Sequence, residues 1–298
     1  MGIFYALLSP AIFGIANYID KFLLEKHNIS PIVITIYGGV FALFAGIITL
    51  FFTGFYPIDT RTLLIILGSG FLTALYLLPY YKALNIDETS NVVPLFQFYP
   101  IFVLILSLIL LREGFTTIQY VGSALIVGAG FLLSVEKVEG KIFKLRKSFF
   151  YMMLSCIVFA VAQVLYRFAL EEIPFWNTLP YETFGIALGS LLIAMYGKNF
   201  QTFRKETRKF KKRVFIFLTI NEIIYIAARY TGYFAISLIS VGLVSILAGT
   251  QPLFVLIFGI ILSIWFPKIL KEVITKKTLG LKFVSILIII LGSYLIFA

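Results

Sequence analysis

The chain has 298 residues, of which 60% are hydrophobic and 13% charged, and its mean hydropathy is +1.01. Soluble domains carry roughly 25% charged residues, and here the apolar residues come in runs of about 20, the length that crosses a bilayer core, so a water-soluble fold is excluded. A net charge of +11 invites a nucleic-acid partner, but the basic residues sit in short loops between apolar runs, where they orient a membrane protein, and no nucleic-acid role is expected.

The apolar runs predict ten membrane-spanning helices, near residues 3–24, 31–53, 62–82, 90–111, 116–134, 148–170, 177–196, 214–236, 240–265 and 279–297. A backbone exposed to lipid must satisfy its own hydrogen bonds, which selects helices. The alternating polarity of outer-membrane strands is missing from the sequence. The two longest connections, Val135–Lys147 and Gly197–Arg213, are polar and basic. The expected fold class is therefore an all-α polytopic protein of the cell membrane. Its start, Met1 to Leu8, lacks the basic region that opens a cleavable signal peptide. Cys156 is the single cysteine and His27 the single histidine, so no internal disulfide, metal cluster or cofactor is expected.

The two halves of the chain resemble each other. With Phe4-Tyr5 set on Phe150-Tyr151, Leu8-Ser9 falls on Leu154-Ser155, Asn17 on Gln163, and Lys21-Phe22 on Arg167-Phe168. Further on, Tyr81, Ala83 and Leu95 fall on Tyr233, Ala235 and Leu247, and the run Pro100–Ile105 falls on Pro252–Ile257. Spans two and seven match poorly. Several matches in one order point to a duplication, with units at 1–140 and 141–298. Five spans per unit is an odd number, so the second unit enters the membrane inverted. Inverted repeats of this kind build alternating-access carriers, with the site near the midplane.

At this point the chain resembles the drug/metabolite transporter superfamily, in its ten-helix EamA-type branch. The stretches that carry the likeness are Tyr80-Tyr81-Lys82-Ala83-Leu84 through Asn91-Val92-Val93-Pro94-Leu95, then Tyr99-Pro100 in an apolar run ending Leu111-Arg112-Glu113, and the glycine-bearing span from Gly122 to Gly130. The resemblance implies a basket of ten helices around a central cavity and the export or exchange of amino acids, metabolites or sugars. It does not select one substrate.

Ionisable and polar residues inside apolar spans are costly and mark candidate sites. Glu222 and Arg229 in span eight are seven residues apart, so they share a helical face about 10.5 Å apart at 1.5 Å per residue. Tyr225 and Tyr233 extend that stripe, flanked by Asn221 and Tyr230. Such a stripe either lines a water-filled cavity or locks helices together, with Arg229 paired to Glu222 or to Glu182. Arg229 suits a carboxylate or phosphate through its planar fork. Glu222 or Glu182 offers a place for a coupling proton. Asp20 and Lys21 near the end of span one, and Glu182 early in span seven, have an interfacial alternative.

Asn17, Tyr81, Gln97, Gln163 and Gln251 complete the candidate substrate-binding set. Pro100 and Pro252, which follow Gln97-Phe98-Tyr99 and Thr250-Gln251, are candidate gating kinks, each removing a backbone donor; a static bend is the alternative. Gly38, Ala42 and Gly46 in span two, and Gly185 and Gly189 in span seven, recur at four-residue spacing and allow close helix contact.

Positive charge is unevenly spread. Loops after odd-numbered spans hold nearly all of it, including Lys82, Lys144, Arg146, Arg204, Lys205, Arg208, Lys209 and Lys271, while even loops hold little beyond Arg61, Arg112 and Arg167. The positive-inside rule then puts both termini outside. The resemblance implies both termini inside; the charge imbalance is the stronger argument.

The leading expectation is a secondary carrier of a small polar metabolite, with the lipid bilayer as surroundings, proton coupling open, and a monomer or weak homodimer as its state. A flippase for a lipid-linked sugar is the alternative. An enzyme is disfavoured by the lack of an intramembrane histidine, and no Gly-Lys-Ser/Thr nucleotide loop is present in the sequence.

Overall fold

The computed structural model of the chain describes residues 1–27, 29–86, 93–134, 147–265, 280, 284, 287–292 and 294–295. All regular structure among them is helical. Helix α1 spans Gly2–Lys21 and ends in a wider turn, Phe22–Lys26. Pro31, at the first turn where its missing N–H is tolerated, opens α2, Pro31–Thr53. Asp59 caps α3, Thr60–Leu75, its Oδ1 accepting from Arg61 N at 2.8 Å and Thr62 N at 3.1 Å. Hydrogen bonding, from Thr62 above all, holds the Asp59 carboxyl below its ordinary value. Helix α4, Leu77–Ile86, continues the line of α3.

Span four is broken rather than smoothly helical. It consists of a 3-10 turn, Val93–Phe98, then α5, Tyr99–Leu106, and a wide turn, Ser107–Leu111. Next come α6, Thr117–Ser134, α7, Lys147–Glu172, and α8, Phe175–Met195. A short surface helix, α9, Asn199–Thr207, precedes α10, Lys212–Leu238. Span nine is also divided, into α11, Val241–Ala248, and α12, Gln251–Trp265.

Seven of these segments are long and apolar enough to cross a membrane, namely Gly2–Leu24, Pro31–Thr53, Thr60–Ala83, Lys147–Glu172, Phe175–Met195, Lys212–Leu238 and Val241–Gly259. The shorter apolar helices Tyr99–Leu111 and Thr117–Ala129 accompany them, and contacts between segments mark the two ends of the bundle. At one end, Gly2 lies beside Ile239, Tyr181 OH donates to Tyr56 O at 2.7 Å, and Glu113 accepts from Val241 N at 3.3 Å while facing Arg167 at 3.6 Å. At the opposite end, Ser30 N donates to Glu206 Oε2 at 3.0 Å, and Lys82 sits 5.9 Å over the Tyr151 ring. Span ten of the sequence reading lies mostly outside the described residues, as do Lys144, Arg146 and Lys271.

Helix contacts are reciprocal. α1 packs along α10 and also touches α11 and α12, while α7 packs along α3 and α4 and also touches the 3-10 turn and α5. α2 lies on α8, and α5 on α11. The tightest crossing joins α3 to α8. A Cβ on Gly70 would collide with the carbonyl of Glu182, and one on Gly185 with the carbonyl of Leu67, so only glycine lets these backbones meet. On α2, Gly46 faces Thr183 and Phe184 of α8, and Ala42 packs with Ala74 and Ile186. Gly38 instead faces the Glu222 carboxylate of α10.

Candidate functional site

Two polar clusters lie on α10, the helix whose stripe drew attention in the sequence. The first centres on Arg229, and it settles which acid is the partner. Arg229 Nε lies 3.8 Å from Glu182 Oε2 of α8. Glu222, on Arg229's own helix, makes no ion pair with it among the described residues. A seven-residue offset puts both on one face but too far apart along the axis to touch.

Glu182 is fully buried, not interfacial, because the α3–α8 glycine contact draws its helix into the bundle. Tyr233 OH donates to Glu182 Oε1 at 2.7 Å. The Tyr233 ring stacks on Tyr166 of α7 with centroids 3.8 Å apart, and Tyr166 OH shares a 2.7 Å hydrogen bond with Thr178 Oγ1. The guanidinium lies 6.0 Å from the Tyr230 ring centroid. Three helices are thus tied around one cation.

That cation is under-satisfied. Arg229 Nε and Nη2 are buried without a hydrogen-bond partner, and so is Glu182 Oε2. At 3.8 Å the pair attracts by charge but is too long for a hydrogen bond. Buried donors left unpaired are expensive, which marks Arg229 as a candidate site residue.

The second cluster lies nearer the Ser30 end. Asn221 Nδ2 donates to Asp20 Oδ1 of α1 at 2.7 Å, while Asn221 Oδ1 is buried with no donor. Asp20 therefore joins α1 to α10, an interaction the sequence reading did not foresee beside its interfacial alternative. The acid–amide spacing of 201 residues gives no local signal. Glu222 is buried against Gly38, within electrostatic range of Asp20 and Arg229. Tyr225 OH shares a 2.9 Å hydrogen bond with Tyr76 OH and packs edge-on against Phe13.

The other predicted residues scatter. Tyr81 is buried beside Tyr80 and belongs to a core cluster with Leu23, Val33 and Leu218. Asn17 and Gln163 are half-buried at equivalent places on α1 and α7, and neither joins the two clusters by a hydrogen bond among the described residues. Gln251 is half-buried at the start of α12. The side chains of Gln97, Lys21 and Pro252 lie outside the described residues. Pro100 is the second residue of α5 and Pro252 the second of α12. Neither kinks a continuous helix: a residue without an N–H fits best in a first turn, and both prolines begin a new helix after a break.

Two surface grooves stand apart from these clusters. One of ≈ 630 Å³ is lined by Thr60, Arg61, Leu64, Ile65 and Leu165. The other, ≈ 370 Å³, is lined by Gln201, Arg204, Lys205, Arg208 and Lys209.

A bundle of long apolar helices around a buried, incompletely paired arginine defines an integral membrane protein with a polar interior. Residues 1–135 match the model of the EamA-like transporter family. Among solved structures, one described only as a crystal structure of a protein shares the fold with a TM-score of 0.67 at 15% identity, covering 99% of this chain and 94% of its own. No curated protein matches the chain significantly.

Proposed function

We propose that the protein is a secondary carrier, an exporter or exchanger in the cell membrane, for a small polar metabolite bearing a carboxylate, with an amino acid as the first candidate. The observation that carries this reading is Arg229, whose buried Nε and Nη2 lack acceptors beside Glu182. A planar guanidinium with free donors matches a carboxylate in a bidentate way. An amino acid brings both that carboxylate and an ammonium group, and Glu182 Oε2 is the unfilled acceptor next to it.

Movement by alternating access is part of the proposal. The reciprocal packing of α1 on α10 and of α7 on α3 and α4 supports two inverted five-helix units, and the family match ends near the expected boundary at 140. Breaks in spans four and nine fall at corresponding places, and discontinuous helices commonly flank carrier sites. In the same reading the Ser30 end faces the cytoplasm, since it carries the basic loops. A reporter fused to the C-terminus, active in one compartment only, tests that orientation. Glu222 is the group we assign to a coupling proton, because it is buried and forms no ion pair among the described residues.

Saturable flux of labelled amino acids into proteoliposomes tests the carrier reading. Arg229→Ala should abolish it while the protein still folds, and normal flux in that variant removes Arg229 from the site. A flippase for a lipid-linked sugar is the second reading. It draws on the open, largely apolar groove at Leu64, Ile65 and Leu165, with Arg61 at its rim. A lipid-translocation assay on the same vesicles separates the two.

A further inference from the structure

The Gly197–Arg213 connection forms the short helix α9, Asn199–Thr207, and its two faces have different occupants. The inner face is anchored. Phe203 packs, with Phe210 just beyond the helix, on the core of Leu23, Val33, Ile34, Val214 and Leu218. Glu206, the only acidic residue of the helix, is turned inward, where its Oε2 accepts from Ser30 N at 3.0 Å. That contact pins α9 to the start of α2 and removes the one negative charge from the outer face.

On that face Arg204, Lys205, Arg208 and Lys209 stand together around the ≈ 370 Å³ groove, and all four are exposed. Arg204 and Lys205 lie in the last turn of the helix, and Arg208 and Lys209 follow directly on its end. Among the described residues no acidic side chain pairs with any of them. Four cations gathered around one hollow suit a phosphate-bearing anion better than scattered topogenic charge does.

The height of the helix selects the anion. α9 follows directly on the end of α8, where Met195 is 70% exposed and Tyr196 80%, and Phe200 on its first turn is 57% exposed. Exposed aromatic side chains at the end of a span belong at the bilayer interface. We propose that the Arg204–Lys209 face binds the headgroup phosphate of an anionic phospholipid in the leaflet at the Ser30 end. Clustered basic residues beside a span attract anionic lipid at short range.

The test uses the purified full chain in detergent, with phosphatidylglycerol, phosphatidylcholine and inorganic phosphate as probes and native mass spectrometry as readout. Two double variants, Arg204→Gln/Arg208→Gln and Lys205→Gln/Lys209→Gln, each leave two cations in place, so orientation and folding are retained. Arg112→Gln, exposed at the opposite end, is the control. The expected result is retention of phosphatidylglycerol over phosphatidylcholine, weakened in each double variant by roughly thirtyfold, the factor that two surface charges supply, and unchanged in Arg112→Gln. Equal retention by wild type and both double variants would overturn the proposal. So would displacement of the lipid by inorganic phosphate at equal concentration, because the occupant would then be a free anion.

Discussion

The two polar clusters on α10 lie on one stripe of one helix, yet they are built in opposite ways. Around Arg229 a single cation has more donors than the protein satisfies, and helices α7 and α8 close on it through Tyr166, Tyr233 and Glu182. Around Asn221 there are two carboxylates, Asp20 and Glu222, with one amide N–H offered to them and an amide oxygen left over. The first cluster leaves two guanidinium nitrogens and one carboxylate oxygen unpaired, and the second leaves an amide oxygen. Within the proposed function, the solute belongs to the first and coupling to the second.

The largest effect should come from unbalancing the first cluster. Glu182→Gln or Arg229→Gln alone leaves one buried charge unmatched, and each should lower stability by about 3–5 kcal/mol. The double variant Glu182→Gln/Arg229→Gln should recover much of that loss in thermal unfolding without regaining transport. If the double variant is no more stable than either single one, the two residues are not a pair.

Next in size is the backbone contact that brings Glu182 inward. Gly70→Ala places a methyl group against the Glu182 carbonyl, and overpacking of this kind costs about 1–3 kcal/mol. Its melting temperature should fall, and transport with it. Gly54→Ala serves as a comparison, since nothing lies within 4 Å of its Cβ position although its φ of +72° adds local strain.

A smaller effect distinguishes the clusters from each other. A double-mutant cycle of Glu222→Gln with Arg229→Gln should be additive within about 0.5 kcal/mol, whereas the Glu182 cycle should not be. Strong coupling in the Glu222 cycle would merge the two clusters into one. The smallest effect concerns Asp59, which caps α3 in open solvent. Its carboxyl is held below the ordinary value of 3.8, so its contribution is complete above that value and lost as pH falls through the lower one. The melting-temperature gap between wild type and Asp59→Ala should therefore shrink only under strongly acidic conditions.

Sequence carried the long helices well. Uniform apolar runs set α1, α2, α7, α8 and α10 to within two residues or so of where they lie, because a run that must satisfy its backbone in lipid has one solution. It carried spans four and nine less well. The run at 90–111 reads as one helix, while the 3-10 turn within it and the position of Pro100 in a first turn depend on packing against α7 and α11. Of the candidate site, the stripe of Asn221, Glu222, Arg229 and Tyr233 was visible through its period. The partners were not fixed, since Glu182 lies 47 positions from Arg229 and only the glycine crossing of α3 and α8 decides that it meets the guanidinium. Asp20 was ambiguous for the same reason: closeness to a span end says nothing about which helix shares its depth.

The most direct test of the account is counterflow of labelled amino acids in proteoliposomes carrying wild type or the folded Glu182→Gln/Arg229→Gln protein. Saturable counterflow is expected for the wild type and a background rate for the double variant at equal reconstitution. Saturable counterflow of undiminished rate in the double variant would show that the solute does not meet Arg229, and would contradict it.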